Sequence, residues 1–178
     1  MDKNYNILEK TIKNLIIEWL NKYNIKNYNI NNDLTINVNG NVDLYGYSES
    51  QLPDHIQFNE VNGYFNIGYS QIKTLKGCPK IVNGEFYCSA CSKLKTLKGA
   101  PEIIGSTFIC LNCPKLISLE GAPEIVNGDF DCSYCDSLKS LKGSPKQVKK
   151  TFYCEFCRSL ESLKGAPKNC EIYSETFR

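Results

Sequence analysis

Four consecutive copies of one sequence pattern span residues 75–163 of this 178-residue chain. Each copy reads L-x-G-x-P, reaches a phenylalanine seven residues after the proline, and continues as F-x-C-x-x-C-x-x-L-x-x-L. Successive copies are 22 residues apart and begin at Leu75, Leu97, Leu119 and Leu141. A fixed period of this length indicates a solenoid, because a unit this small buries its apolar side chains only against its neighbours. The chain is therefore predicted to form a stack of similar coils.

Within one copy, Phe108 and Cys110 occupy alternate positions, which is the period of a short strand with one face turned inward. We expect this strand to be three to five residues long. Cys113 and two leucines then recur every three residues, a spacing that fits a tight coil with one inward residue at each bend. Gly121 and Pro123 close the turn, since glycine permits positive φ and proline fixes its own φ.

The core Phe108-x-Cys110-x-x-Cys113-x-x-Leu116 resembles the cysteine-containing type of leucine-rich repeat. Phenylalanine replaces the usual leucine at one inward position, and the L-x-G-x-P turn replaces a long convex helix. The resemblance implies an α/β repeat fold, a short right-handed solenoid with a parallel β-sheet on one face. The phrases L-K-G-x-P and G-x-F-x-C are also similar to those of uncharacterised repeat proteins of tailed bacteriophages and large DNA viruses.

The chain divides into four segments. Residues 1–33 are predicted to form an amphipathic helical cap and a polar connection, and residues 34–74 form degenerate first repeats. Residues 75–163 are the four regular repeats, and residues 164–178 form a C-terminal cap in which Ile172 or Phe177 supplies a last edge strand. The cap helix is expected to end at Asn24 and to bury one apolar stripe against the first coil. That stripe consists of Leu8, Ile12, Leu15, Ile16, Trp19 and Leu20.

The degenerate repeats show what the inward positions require. Val42 and Phe65 occupy the position of Phe86, while Leu44 and Ile67 occupy the position of the first cysteine. That position therefore requires an apolar side chain and not a thiol. We predict that Cys88, Cys110, Cys132 and Cys154 point into the core. The second cysteines, Cys91, Cys113, Cys135 and Cys157, are predicted to stack at a bend and to offer their thiols to backbone groups.

Composition places the chain among soluble globular proteins, with 42% hydrophobic residues and a net charge of +2. The lysines that precede the turn glycines form a thin row interrupted by Glu120, so nucleic-acid binding is not expected. Neither a signal peptide nor a membrane-spanning segment is predicted, so we expect no membrane association. The ten cysteines are expected to be reduced in the cytoplasm, which is that of the host cell if the protein is viral.

Enzyme motifs are absent from the sequence, and we predict a protein without catalytic activity or cofactor. His55 is the one histidine, so the sequence does not predict a histidine-based catalytic site or metal site. No glycine-rich phosphate-binding motif is present. Two alternatives remain open. The repeated C-x-x-C pairs resemble zinc ligands and allow a zinc-stabilised module, and a pocket between the first coils and the helix allows a protein that binds a small ligand or nucleotide.

The residues that flank the inward phenylalanine and cysteine point to the concave side of the sheet and vary between copies. Several are aromatic or aliphatic and are bordered by acids, as in protein-binding patches. We therefore predict a protein-binding module, and the sequence leads to no prediction of the partner's identity or of oligomeric state. The predicted binding residues are Tyr87, Ile109, Leu111, Asp131, Tyr134, Tyr153 and Phe156.

Overall fold

The computed structural model describes residues 3–175, which form one helix and a solenoid of short strands. The helix, α1, spans Lys3–Lys22. One sheet, which we call the Ile/Val sheet, contains β1 (Tyr28–Ile30), β2 (Ile36–Val38), β4 (Phe58–Val61), β6 (Ile81–Val82), β8 (Ile103–Ile104), β10 (Ile125–Val126) and β12 (Gln147–Val148). The other, the Phe sheet, contains β3 (Val42–Asp43), β5 (Phe65–Asn66), β7 (Phe86–Tyr87), β9 (Phe108–Ile109), β11 (Phe130–Asp131), β13 (Thr151–Tyr153) and β14 (Glu171–Tyr173).

The predicted α/β repeat solenoid is confirmed, and it has two sheets where the sequence indicated one. Most coils contribute one strand to each sheet, and equivalent strands of successive coils pair in parallel. Phe86 pairs with Phe108, and Phe108 pairs with Phe130, in the expected sheet. Ile103 pairs with Ile125 in the additional sheet. The coils therefore stack in register with the 22-residue repeat.

The inward phenylalanines form one continuous stack through the core. Their ring centroids are 5.1 to 5.4 Å apart and neighbouring ring planes differ by 1° to 7°. Each ring is fully buried. Because each contacts the ring above and below, an aromatic side chain at this position completes the burial of its neighbours. The stack consists of Phe65, Phe86, Phe108, Phe130 and Phe152.

Each regular coil turns sharply after its Phe-sheet strand, at a residue with a left-handed backbone. In the regular repeats this corner position is held by Ala90, Asn112, Tyr134 and Phe156, whose φ values are 54° to 60°. The amide of Ala90 donates to the carbonyl of Leu111 in the next coil at 2.9 Å, so the corner also belongs to the ladder. The corner limits the strand, so β7, β9 and β11 contain two residues and are shorter than predicted, while β13 has three, as predicted.

Helix α1 caps the first coil with only its C-terminal half. Ile16, Trp19 and Leu20 are buried, as predicted, and the Trp19 ring lies 6.2 Å from the ring of Phe58. The rest of the predicted stripe is different, because Leu8 and Leu15 are 58% and 43% exposed and Ile12 is half-buried. The amphipathic pattern therefore extends toward the N-terminus of the helix, beyond the part that packs against the core. No helix within residues 3–175 is long and apolar enough to cross a membrane.

Both ends of the solenoid are covered by local structure. Helix α1 ends at Lys22, and Asn24, the predicted stop, has a φ of 53° two residues later. The predicted polar connection contains β1, which pairs antiparallel with β2 and covers that edge of the Ile/Val sheet. At the other end, β14 pairs with β13, so Ile172 supplies the expected edge strand. Phe177 lies outside the described residues.

The left-handed corner predicts opposite effects for the same substitution at two alanines. Ala90→Gly should stabilise the fold by about 0.5–1 kcal/mol, because glycine adopts positive φ without steric cost. Ala100→Gly should destabilise it by a similar amount, since Ala100 has an ordinary φ and its methyl group packs on the core. Urea unfolding of both variants measures the two changes. Equal losses of stability would show that the corner is not strained.

Candidate functional site

The structure places the predicted binding residues on one surface. Tyr87, Ile109, Asp131 and Tyr153 lie side by side in one row, because their strands pair in register. Leu111 lies two residues beyond Ile109 and is half-buried. We call this surface the outer Phe face. It consists of four positions in each coil between residues 41 and 175: one before, one after, three after and four after the inward residue of the Phe-sheet strand. Around Phe108 these are Thr107, Ile109, Leu111 and Asn112.

Two aromatic residues meet at the corner that borders this face. Tyr134 and Phe156 stack with their ring centroids 4.6 Å apart and their planes 19° apart. Their side chains are 51% and 40% exposed, so much of the pair remains accessible to a partner. The structure therefore brings together all seven predicted residues: four on the strands, Leu111 in the turn after β9, and two at the corner.

Sequence reasoning missed the tyrosines of the degenerate coils and of the last strand. Tyr45 and Tyr69 are each 60% exposed, and their ring centroids are 5.1 Å apart. Tyr64 meets Tyr87 edge to face at 6.3 Å. Alignment of Phe65 with the phenylalanines of the regular copies would have placed Tyr64 and Tyr69 on this face. With these additions its aromatic residues are Tyr45, Tyr64, Tyr69, Tyr87, Tyr134, Tyr153, Phe156 and Tyr173.

Four tyrosines of the first coils enclose an open cleft with a volume of ≈ 280 Å³. Its floor consists of Asn66, Gly68 and Ser89, and its walls are the rings of Tyr45, Tyr64, Tyr69 and Tyr87. Gly68 keeps the floor open, since a Cβ there would lie 3.3 Å from both the Asn66 Oδ1 and the Ser89 carbonyl oxygen. The cleft is therefore shallow, aromatic and bounded below by backbone.

The outer Phe face is acidic although the whole chain carries a net charge of +2. None of the 21 lysine and arginine residues occupies one of its positions between residues 41 and 175. The lysines lie on other surfaces, where Lys76 pairs with Asp54 and Lys142 pairs with Glu120, both at 2.8 Å. The acids on the face are Asp43, Glu85, Asp129, Asp131, Glu155, Glu171 and Glu175.

Several of these carboxylates are fixed by backbone amides. Asp131 Oδ1 accepts a hydrogen bond from the amide of Ser133 at 2.9 Å, and Asp43 Oδ1 accepts one from the amide of Tyr45 at 3.1 Å. Each carboxylate retains lone pairs for a partner's donors. Burial raises the pKa of Tyr87, and the nearby Glu85 carboxylate raises it further. Tyr87 therefore remains a neutral phenol at neutral pH.

The cysteines form two interior rows, as predicted. The first cysteine of each pair is fully buried, and burial raises the pKa of Cys110 well above its ordinary value. The second cysteine donates its thiol to a carbonyl of the preceding coil, as in the 3.3 Å contact from Cys113 Sγ to the Cys88 carbonyl oxygen. The equivalent contacts are Cys135 to Cys110 at 3.4 Å and Cys157 to Cys132 at 3.2 Å. These thiols act as hydrogen-bond donors.

The structure also bears on the two alternative functions. Across residues 3–175, no three histidine, cysteine, aspartate or glutamate side chains are grouped so that they could hold a metal ion. A cavity of ≈ 370 Å³ lies between the helix and the first coils, where the sequence allows a small-ligand site. Its lining includes Ile12, Leu34, Asp54 and His55.

Comparison with known proteins identifies no relative. No protein-family model matches the chain, and neither the curated proteins nor the solved structures include a similar one.

The cysteine geometry predicts opposite orders of tolerance at two positions in one coil. Cys110→Val should cost under about 1.5 kcal/mol, and Cys110→Ser about 1–3 kcal/mol, because the site is apolar. At Cys113 serine should cost less than valine, since a hydroxyl can still donate to the Cys88 carbonyl. Ser70 already occupies the equivalent position in an earlier coil and contacts the Cys91 Sγ at 3.3 Å.

Urea unfolding of the four variants under reducing conditions, with metal analysis of the purified protein, tests this order. A structural zinc site would make all four substitutions comparably severe and would release bound metal.

Proposed function

We propose that this chain is a non-enzymatic protein-binding module that engages a protein partner through the outer Phe face. The observation that carries the proposal is the presence of exposed aromatic residues at strained corner positions. Tyr69, Tyr134 and Phe156 have φ values of 56°, 60° and 55°. A left-handed conformation is a clear outlier for a bulky residue and costs about 1–2 kcal/mol relative to the right-handed one.

The same corner accepts residues that suit it better. Gly46 and Asn112 occupy it in two other coils, and both residue types adopt positive φ readily. The folded core has no need of the aromatic residues, because their side chains point to solvent and remain 40% to 60% exposed. Backbone strain that the fold does not require is typical of functional sites. The strain therefore supports a role in binding.

The composition of the face supports a protein partner in particular. Tyrosine and other aromatic residues are enriched at protein interfaces, because they bury a large area with few rotatable bonds. Tyr153 stacks on Tyr173 with ring centroids 5.4 Å apart, so its ring is already positioned before a partner arrives. Preorganised side chains lower the entropy cost of association. Acids beside these rings provide polar contacts at the rim.

The resemblances in the sequence indicate which partners to test first. The resemblance to leucine-rich repeats favours a concave sheet face as the binding surface, and repeat phrases like those of phage and viral proteins favour a host or defence factor in the host cytoplasm. We therefore propose a phage or viral origin, on the basis of the sequence resemblance.

A photo-reactive amino acid at Ile109 tests the proposed face, and the same amino acid at Ile103 is the matched control. Both residues lie in register-paired strands, but Ile103 lies on the Ile/Val sheet and is 36% exposed. We expect crosslinked products from bacterial or eukaryotic cell lysates with the Ile109 variant and not with the Ile103 variant. Mass spectrometry identifies the partner.

The double variant Tyr134→Asn and Phe156→Asn separates binding from folding. Asparagine suits the left-handed corner, as Asn112 shows, so the free energy of unfolding should change by less than about 1 kcal/mol. Crosslinking through Ile109 should fall at least tenfold. Equal crosslinking from both sheets, or none from Ile109 in any lysate, would refute the proposed face.

A further inference from the structure

The cleft between Tyr45, Tyr64, Tyr69 and Tyr87 has a geometry that specifies the chemistry of the partner. We propose that this cleft binds the guanidinium group of an arginine, presented by an extended arginine-rich segment of the protein partner. This inference rests on the proposed function of the outer Phe face and names the partner's chemistry. Charge and ring geometry both support it.

The rings form two walls with a gap between them. Tyr69 at its corner and Tyr45, one residue before the Gly46 corner, make one wall, with centroids 5.1 Å apart and planes 40° apart. Tyr64, just before β5, and Tyr87 on β7 make the other wall, with planes 78° apart. Both ring faces and ring edges line the cleft, whose volume is ≈ 280 Å³. An aromatic face attracts a cation within about 6 Å of the ring centroid.

Gly68 determines where the cleft lies along the solenoid. The equivalent positions in the following coils carry Ser89, Leu111, Ser133 and Glu155, whose side chains cover the backbone. At Gly68 no side chain covers the floor, and the polar groups around it are Asn66 Oδ1 and the backbone of Ser89. Asn66 Oδ1 accepts a hydrogen bond from the Gly68 amide at 3.0 Å, which holds that side chain in the floor. A donor-rich group that enters between the rings thus meets acceptors below.

The charge around the cleft favours a cation over an anion or an apolar anchor. Glu85 is close enough to Tyr87 to raise the pKa of its hydroxyl. Asp43 Oδ1 accepts a hydrogen bond from the side-chain Nδ2 of Asn66 at 3.1 Å and so lies beside the floor. Neither carboxylate has a lysine or arginine partner among the ion pairs of residues 3–175. A guanidinium suits this site better than an ammonium, because it stacks on rings and donates to a carboxylate at the same time.

Further acids continue the same surface beyond the cleft. Asp129 and Asp131 lie on the β11 coil and Glu155 on the β13 coil, separated from the cleft by the β9 coil, which has no acid on this face; neighbouring coils are about 4.8 Å apart. The seven coils therefore extend the face over roughly 29 Å, which an extended peptide of about nine residues spans. An arginine-rich segment along the face would place one guanidinium in the cleft and others near these acids.

Fluorescence anisotropy with a labelled nonapeptide of alternating arginine and serine tests the inference. The matched control is the same peptide with citrulline in place of arginine, because citrulline keeps the planar shape but is neutral and replaces one donor nitrogen with a carbonyl oxygen. We expect saturable binding of the arginine peptide to the full chain and at least tenfold weaker binding of the citrulline peptide.

Two variants assign the binding to the cleft. Tyr69→Asn removes one ring and suits the left-handed corner, while Tyr87→Ile removes another and matches Ile109 in the same row. Each should weaken binding of the arginine peptide at least fivefold. Tyr28→Ile is the control, because Tyr28 is a half-buried strand tyrosine on the Ile/Val sheet. It should leave the affinity unchanged.

Absent binding, equal affinity for the two peptides, or equal effects of Tyr69→Asn and Tyr28→Ile would each overturn the inference. A partner that crosslinks through Ile109 in spite of such a result would leave the proposed function standing. If the arginine peptide binds but no partner crosslinks, the protein-binding function fails while the cation site remains.

Discussion

The structure depends on a backbone ladder that repeats at every coil. The amides of Phe86, Cys88 and Ala90 donate to the carbonyls of Thr107, Ile109 and Leu111 at 2.9 Å, and the same pattern returns 22 residues later. This ladder closes only when neighbouring coils follow nearly the same path. Side chains that point inward must therefore have similar volumes in each coil, whereas those that point outward are free to differ.

The interior satisfies this constraint with few residue types. Phenylalanines stack on one another, and the first cysteine of each pair is a smaller side chain that is also fully buried. The second cysteine meets a different need, because the ladder leaves an inward carbonyl at the bend that its thiol reaches. A buried acceptor without a donor would destabilise each coil by about 1–3 kcal/mol. The C-x-x-C spacing is thus explained by packing and hydrogen bonding together.

The parts of the fold that the sequence predicts are those with a repeated and unambiguous pattern. The Phe-sheet strands follow from the alternation of phenylalanine with the first cysteine, which extends beyond the two-residue strand itself. The two-residue strand Ile125–Val126 is followed by Asn127 and Gly128, so no apolar alternation marks it. An apolar stripe indicates which side of α1 faces the core but not how far the core extends beneath it. The predicted burial of Leu8 and Leu15 is therefore wrong, since both side chains are exposed. The tyrosine cleft lies in the coils whose inward residues are least regular, and its geometry depends on Gly68, which no alternation pattern identifies.

The in-register stacking also determines how such a chain can change in length. Because the inner outline is the same in each regular copy, loss or duplication of one whole 22-residue unit would leave a chain whose remaining coils still fit together. The outer surface would then shorten or lengthen by one coil, about 4.8 Å at a time. Recombination between copies could therefore alter the extent of the acidic, aromatic surface in discrete steps without a new core.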